Sequence, residues 1–341
     1  MRAGLIEKPE TAYCTEIEEP QITKPTDVKI QIKVTGICGS EVHAYHGKHP
    51  FRIPPVVSGH EFAGVVVEIG SAVTACKVGD RVTAEPQYGC GVCPACRSGR
   101  YNICRDKRVL GSNGWSGSFG EFIVVPQSTV VHLKDNVSFE QGALIEPIAV
   151  GMHAVRQHHV GIDTSVLIIG AGTIGLGLLL SAKACGPKCI IAADVVDYNL
   201  DAAKKMGADA TCNTKRDNLA DRVMKLTEGQ GVDICFLAFG NADAVETAAL
   251  CTKRGGTISE IALMPNGTGA PFALIQNKEL NLAGSNMYVR DDYLAVVNCM
   301  DRGLMDTKLM ITQNYPIEEM TQAMRMADLR PEPVIKVMLH F

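Results

Sequence analysis

The sequence predicts an α/β chain in two parts. Three observations lead there: a β-rich first part, a strand–helix alternation that starts near residue 155, and a glycine-rich turn set between a strand and a helix. At 341 residues the chain exceeds one ordinary core and is expected to divide. Residues 1–155 read as one part, 156–286 as the alternating part, and 287–341 as a tail of mixed character.

In the first part VKIQIKVTG (28–36) and AGVVVEIG (63–70) are β-branched and end in glycine, as strands do. GDRVTAEP (79–86) and EFIVVP (121–126) follow the same rule, with Gly- and Pro-rich connections such as GKHPFRIPPVVSGH between them. In the second part TSVLIIG (164–170) is apolar throughout, the mark of a strand buried on both faces. The helix IGLGLLLSAKACG, the strand KCIIAAD (188–194) and the helix NLDAAKKMGA come next. VDICFLAFG (232–240), a helix from Ala242, GGTISEIAL (255–263) and LNLAGSN (280–286) complete the alternation. That order implies a doubly wound parallel sheet covered by helices.

After TSVLII comes GAGTIG, with Gly170, Gly172 and Gly175 around Thr173 and Ile174. A strand before and a helix after give this motif its meaning as a Rossmann dinucleotide site. The glycines allow the tight turn, the approach of a pyrophosphate and the packing of helix on strand. Asp194 ends the next strand, nineteen residues beyond Gly175, where a carboxylate accepts bonds from an adenosine ribose. Residues 195–199, VVDYN, include Asn199 but no arginine for a 2′-phosphate, so NAD is expected rather than NADP.

The bulk numbers exclude several classes. A net charge of −4 and a pI of about 6.2 argue against nucleic acid or anionic membranes as partners. Apolar content of 46% and a mean hydropathy of +0.07 are those of a globular protein. MRAGLIEKPE lacks the apolar core of a leader, and IGLGLLLSA is far shorter than a membrane span, so a cytoplasmic home is expected.

Thirteen cysteines in a reducing compartment suggest metal where they cluster. Cys90, Cys93, Cys96 and Cys104 follow C-x2-C-x2-C-x7-C. The last gap is too long for a two-cluster ferredoxin, and the paired knuckles of a zinc ribbon are missing. Four thiolates fill a tetrahedral zinc shell, so this site is expected to be structural. Arg97, Arg100, Arg105, Lys107 and Arg108 offset its charge. Cys14, Cys76, Cys185, Cys189, Cys212, Cys235, Cys251 and Cys299 read as lone core thiols.

GICGSEVH, GHEFAGVVVEIG, VGDRV, the cysteine lobe, GSFGEFIVVP, LIEPIAVGMHA and GAGTIG occur in an order that resembles the zinc-containing medium-chain dehydrogenases, over nearly the whole chain. The resemblance implies a GroES-like catalytic domain formed by the first part and the tail, a Rossmann domain inserted between, and a cleft holding substrate, zinc and nicotinamide. It implies two zinc ions per subunit. Cys38 and His60 match catalytic zinc ligands; Glu61 matches a glutamate that ligates in some members and lies nearby in others; Glu146 takes the place of the third ligand or of a carboxylate behind it. Ser40 and His43 match a proton relay. Glu146 followed by proline resembles the polyol branch, with sorbitol, galactitol-phosphate and sugar-acid dehydrogenases.

On this resemblance the expected reaction is reversible oxidation of a secondary hydroxyl of a polyol, sugar acid or sugar-alcohol derivative. Threonine 3-dehydrogenase or a small secondary alcohol dehydrogenase is the alternative, and a zinc-less nucleotide-binding relative is disfavoured by retention of Cys38, His60 and Glu146. Tyr45, Phe51, Arg52, Trp115, Phe119 and Asn286 are candidates to shape the pocket, although Arg52 alone reads as solvated, as do His46 and His49; His153 reads as packing. Glu260 inside an apolar strand, Ala262, Gln313, Asn314 and Ile335-Lys336-Val337 depart from the family pattern. The last strand of the sheet, LNLAGSN, leaves a bare edge that invites pairing with a second copy, and the resemblance implies a homodimer or homotetramer.

Overall fold

The structure, a computed structural model, describes residues 1–112 and 114–341. Contacts divide it into two units. One holds Met1–Glu146, Val289–Asp301 and Ile311–Phe341; the other holds Pro147–Tyr288 and Arg302–Met310. The first break falls at 146, inside helix Phe139–Gln157, and not at 155. Segment 302–310, expected with the tail, groups with the second unit.

The first unit is built on a seven-stranded sheet. Its long strand Asp27–Ile37 pairs antiparallel with Glu61–Ile69, Phe122–Pro126 and Lys336–His340. Val28, Ile30 and Ile32 alternate inward to meet Phe62, Val66 and Ile123 in one apolar cluster. The register puts Ile37 opposite Val337 and Gly36 opposite Glu61, so three chain segments end side by side. Sequence reading missed the hairpin Arg2–Lys8 with Thr11–Glu16, whose charged exposed face blurs the alternation.

The second unit carries six parallel strands, in the order Ala210–Asn213, Cys189–Asp194, Ser165–Ile169, Val232–Leu237, Thr252–Glu260, Asn281–Gly284. Numbered along the chain this is 3-2-1-4-5-6, the Rossmann order. Ser165–Ile169 is buried at every position, as a continuous apolar run requires. Strand Ala210–Asn213 escaped prediction because it is only four residues long. Glu260 is the last residue of its strand and is exposed, so no carboxylate is buried there.

Cys212, Cys235 and Cys251 are core thiols as expected, whereas Cys14, Cys76, Cys185, Cys189 and Cys299 are only half-buried. Phe119 is fully buried against Ile6, Ile37 and Ile317, which removes it from any pocket. Among the described residues no helix is long and apolar enough to cross a membrane.

A Cβ built on Gly175 would lie 1.7 Å from the Gly170 carbonyl oxygen, so the helix can sit on the turn only without a side chain there. Gly175→Ala is expected to lower stability by about 2 kcal/mol or more, the cost of forcing backbone apart in a packed core. Denaturant titration followed by circular dichroism reads that loss.

Candidate active site and metal centres

The end of strand Asp27–Ile37 delivers Cys38, which caps helix Gly39–Tyr45. Glu41, three residues on, accepts from the Cys38 N–H at 3.0 Å, so the helix start is fixed by a capping box. Glu41 is fully buried, and its Oε1 also accepts from Ser58 Oγ at 3.0 Å and lies 3.0 Å from His60 Nδ1. That bond turns the other ring nitrogen of His60 away from Glu41, as a metal-ligating imidazole needs. Burial opposes the charge on Glu41, but His60 and Arg52 outweigh it and hold the carboxyl well below the usual range.

Arg52 is 6% exposed, not solvated. Its guanidinium lies 3.4 Å from Glu41, 3.3 Å from His60 Nδ1 and 3.1 Å from His49 Nε2. With the His60 Nδ1–H given to Glu41, Arg52 acts on the histidine through its ion pair with Glu41. His49 and His46 are half-buried too, His46 with Asp328 at 2.8 Å.

Strand Glu61–Ile69 begins with Glu61, and strand Lys336–His340 begins with Lys336. Both side chains are buried, and Lys336 Nζ donates to Glu61 Oε1 at 2.8 Å and Oε2 at 2.6 Å. Burial disfavours the ammonium, yet Glu61 first and then Cys38 raise the Lys336 pKa above its ordinary value. Gly36 makes room for the pair: a Cβ there would sit 2.2 Å from Glu61 Oε2.

Two groups of donors meet at His60. Cys38, Glu41 and His60 lie within 4.8 Å of one another, and so do His60, Glu61 and Glu146. Glu146 is buried on helix Phe139–Gln157, and Pro147 follows it inside the helix. Ser40 Oγ is buried with no hydrogen-bond partner among the described residues, and His43, on the same helix, is exposed.

Cys90, Cys93, Cys96 and Cys104 also lie within 4.8 Å of one another. The N–H groups of Val92 and Cys93 bring Cys90 down to about 7. Burial, followed by the neighbouring thiols, pushes Cys96 up to about 12. Four converging sulfurs that cannot all ionise alone fit a divalent cation. The lobe is tied to its unit by Glu85, which accepts from Tyr101 Oη and, at 3.2 Å, from Arg290.

In the second unit helix Thr173–Cys185 starts at Gly172, which has no side chain to cap it. A Cβ on Gly172 would meet nothing within 4 Å, so space is open where N–H groups converge, which fits a pyrophosphate. Gly170, at φ +96°, makes the turn. Asp194 Oδ2 accepts from Ala171 N at 2.6 Å, and Oδ1 from Val195 N at 2.7 Å. Asn199 is buried and donates to Asp194 at 3.3 Å. Glu260 lines a cavity of about 470 Å³ with Ile258, Met264 and Leu282.

Tyr45 is half-buried and donates to the Glu10 carbonyl, Trp115 donates to Val124 O and packs on Tyr88, and Phe51 and Asn286 are exposed.

Comparison with known proteins agrees with this architecture. Residues 24–135 match the alcohol dehydrogenase GroES-like domain, and residues 173–302 match the zinc-binding dehydrogenase domain. The chain is 37% identical to sorbitol dehydrogenase 1 of Saccharomyces cerevisiae over 314 residues, covering 89% of this chain and 88% of that protein. The chain belongs to the zinc-binding alcohol dehydrogenase family.

It is also 37% identical to L-idonate 5-dehydrogenase of Vitis vinifera over 302 residues, covering 86% of this chain and 82% of that protein. An alcohol dehydrogenase from Escherichia coli CFT073, solved with NADH, superposes with a TM-score of 0.92 at 28% identity over 100% of this chain and 99% of that one. As a member of the family, this dehydrogenase is a zinc- and nicotinamide-dependent enzyme of small hydroxylated substrates.

Sequence reading passed over Glu41 and gave Lys336 only as a departure. Both left a signal: a glutamate three residues past a helix cap, and a lysine within the apolar run VIKVML. Arg52 left none at short range.

Tyr101→Phe is expected to cost about 1–3 kcal/mol, because the buried Glu85 loses a donor. Thermal melts of the zinc-loaded protein measure it.

Proposed function

We propose that this dehydrogenase oxidises a secondary hydroxyl of a polyol, sugar acid or sugar-alcohol derivative to the ketone, reversibly and with NAD. The sorbitol and idonate dehydrogenases among its relatives support the substrate class. Asp194 supports NAD, since its charge repels a 2′-phosphate.

The observation that carries the site assignment is Lys336. It engages both oxygens of Glu61. Cys38 and Glu146, each within 4.8 Å of His60 in a separate group, then complete with it the ligand set of the catalytic zinc, and Glu61 is withheld beside them. Cys90, Cys93, Cys96 and Cys104 take the structural zinc. When bound, the catalytic zinc supplies Lewis acidity to the substrate hydroxyl while NAD accepts the hydride.

The chain's own residues do the rest. Glu41 and Arg52 hold His60 in place. Ser40 Oγ, buried and without a bond among the described residues, accepts the hydroxyl proton as it gives up its own to His43, which hands a proton to solvent. A reducing, cytoplasmic setting is supported by thirteen cysteines with no disulfide among them. Self-association through strand Asn281–Gly284 is supported by its unpaired edge, with Leu282 exposed on the strand and Leu263 and Phe272 exposed elsewhere in the unit.

The decisive experiment is metal analysis with a panel of sugar alcohols, aldonates and their phosphates, read by NADH absorbance. About two zinc ions per chain are expected, with one lost in Glu146→Ala and the other in Cys93→Ser. Turnover that survives complete metal removal would overturn the proposal.

Ser40→Ala is expected to lower kcat about 10²-fold or more with little change in KM, as loss of a proton acceptor does. Lys336→Met is expected to release Glu61 toward the metal. The visible spectrum of the cobalt-substituted variant then shifts from that of the parent; an unchanged spectrum would mean that Lys336 does not hold Glu61 back.

A further inference from the structure

The segment VVDYN carries no arginine, yet the fold brings one to the same place from the next strand. Thr214 N donates to the Asp194 carbonyl at 3.0 Å, which sets residues 214–216 against the end of strand Cys189–Asp194. Arg216 folds back from there. Its two terminal nitrogens donate to Asp197 Oδ2 and Oδ1, each at 2.7 Å. Asn213 Nδ2 braces Asp197 Oδ1 at 2.8 Å. Lys215, also exposed, adds a second positive charge that Asp197 feels. Bonds from Arg216 and then Asn213 bring Asp197 down to about 2, so it is ionised across the physiological range.

We propose that Asp197 is a selectivity lock: it occupies the fork of Arg216 that would otherwise receive the 2′-phosphate of NADP beside the ribose carboxylate Asp194. This rests on the reading of Asp194 as the ribose partner. The fork geometry of a guanidinium suits a phosphate as well as a carboxylate, so the two compete for the same donors. What excludes NADP is then not a missing cation but a cation already neutralised by Asp197, with the carboxylate of Asp194 nearby in the chain. The lock is soft. The side chains of Arg216 and Asp197 are 62% and 58% exposed, and exposed pairs are weak. A single substitution should open it.

Isothermal titration with NAD and with NADP tests the lock by binding alone. Asp197→Asn keeps the size of the side chain and removes its charge. NADP affinity is expected to rise about fivefold or more, the equivalent of one exposed ion pair, with NAD affinity changed by less than about twofold. Asp197→Asn combined with Arg216→Ala is expected to return NADP affinity to the parent value. No gain in the single variant, or a gain that persists in the double variant, would overturn the lock. Asp194→Ala is the separate control. If it leaves NAD affinity unchanged, the ribose assignment fails and the lock with it; if NAD weakens while the cycle shows no gain, the lock alone fails.

Discussion

A histidine held between two buried charge systems is the constraint on which the first unit's site depends. On one side Glu41, itself held by Ser58 and Arg52, meets His60 Nδ1. On the other, Glu61 and Lys336 neutralise each other without solvent. Burying a charge alone costs several kcal/mol, on the order of the net stability of a whole domain. Each ion is therefore tolerable only with its partner in position, and the partners come from segments far apart in the chain. The geometry of the donors is thus over-determined by the fold before any ligand arrives.

The sheet register makes this possible. Strand ends at Ile37, Glu61 and Lys336 lie side by side, and Gly36 leaves the volume that the Glu61–Lys336 pair fills. A one-residue slip in either pairing would turn Glu61 or Lys336 to the opposite face. The same economy appears in the second unit. Asp194 is fixed by the N–H of Ala171 in the glycine-rich turn and by those of Val195 and Val196 that follow it, so the glycine-rich loop and the carboxylate form one rigid piece. Rigid pieces of this kind bind without the cost of ordering loops.

Local patterns made much of this readable. GAGTIG between a strand and a helix, and four cysteines within fifteen residues, carry their meaning in spacing, and the structure brings the members of each together. Glu41 was legible in principle as a capping residue, but nothing local says that its carboxylate also reaches Ser58 and His60. Arg52 looked like a surface side chain because its loop is rich in proline and polar residues. Phe119 looked available because aromatics beside glycines are ambiguous, and only packing against Ile6 and Ile317 removed it.

By itself the sequence determined the sheet-building segments, the dinucleotide turn with its aspartate, and the four-sulfur lobe, because each depends on residues close together in the chain. Only the tertiary structure decided which carboxylate Lys336 engages, that Arg52 backs His60, and that Arg216 comes to rest on Asp197. The first joins residues 275 positions apart and arises from strand order and register, which no local spacing encodes; the other two, 8 and 19 apart, follow no motif whose spacing announces them.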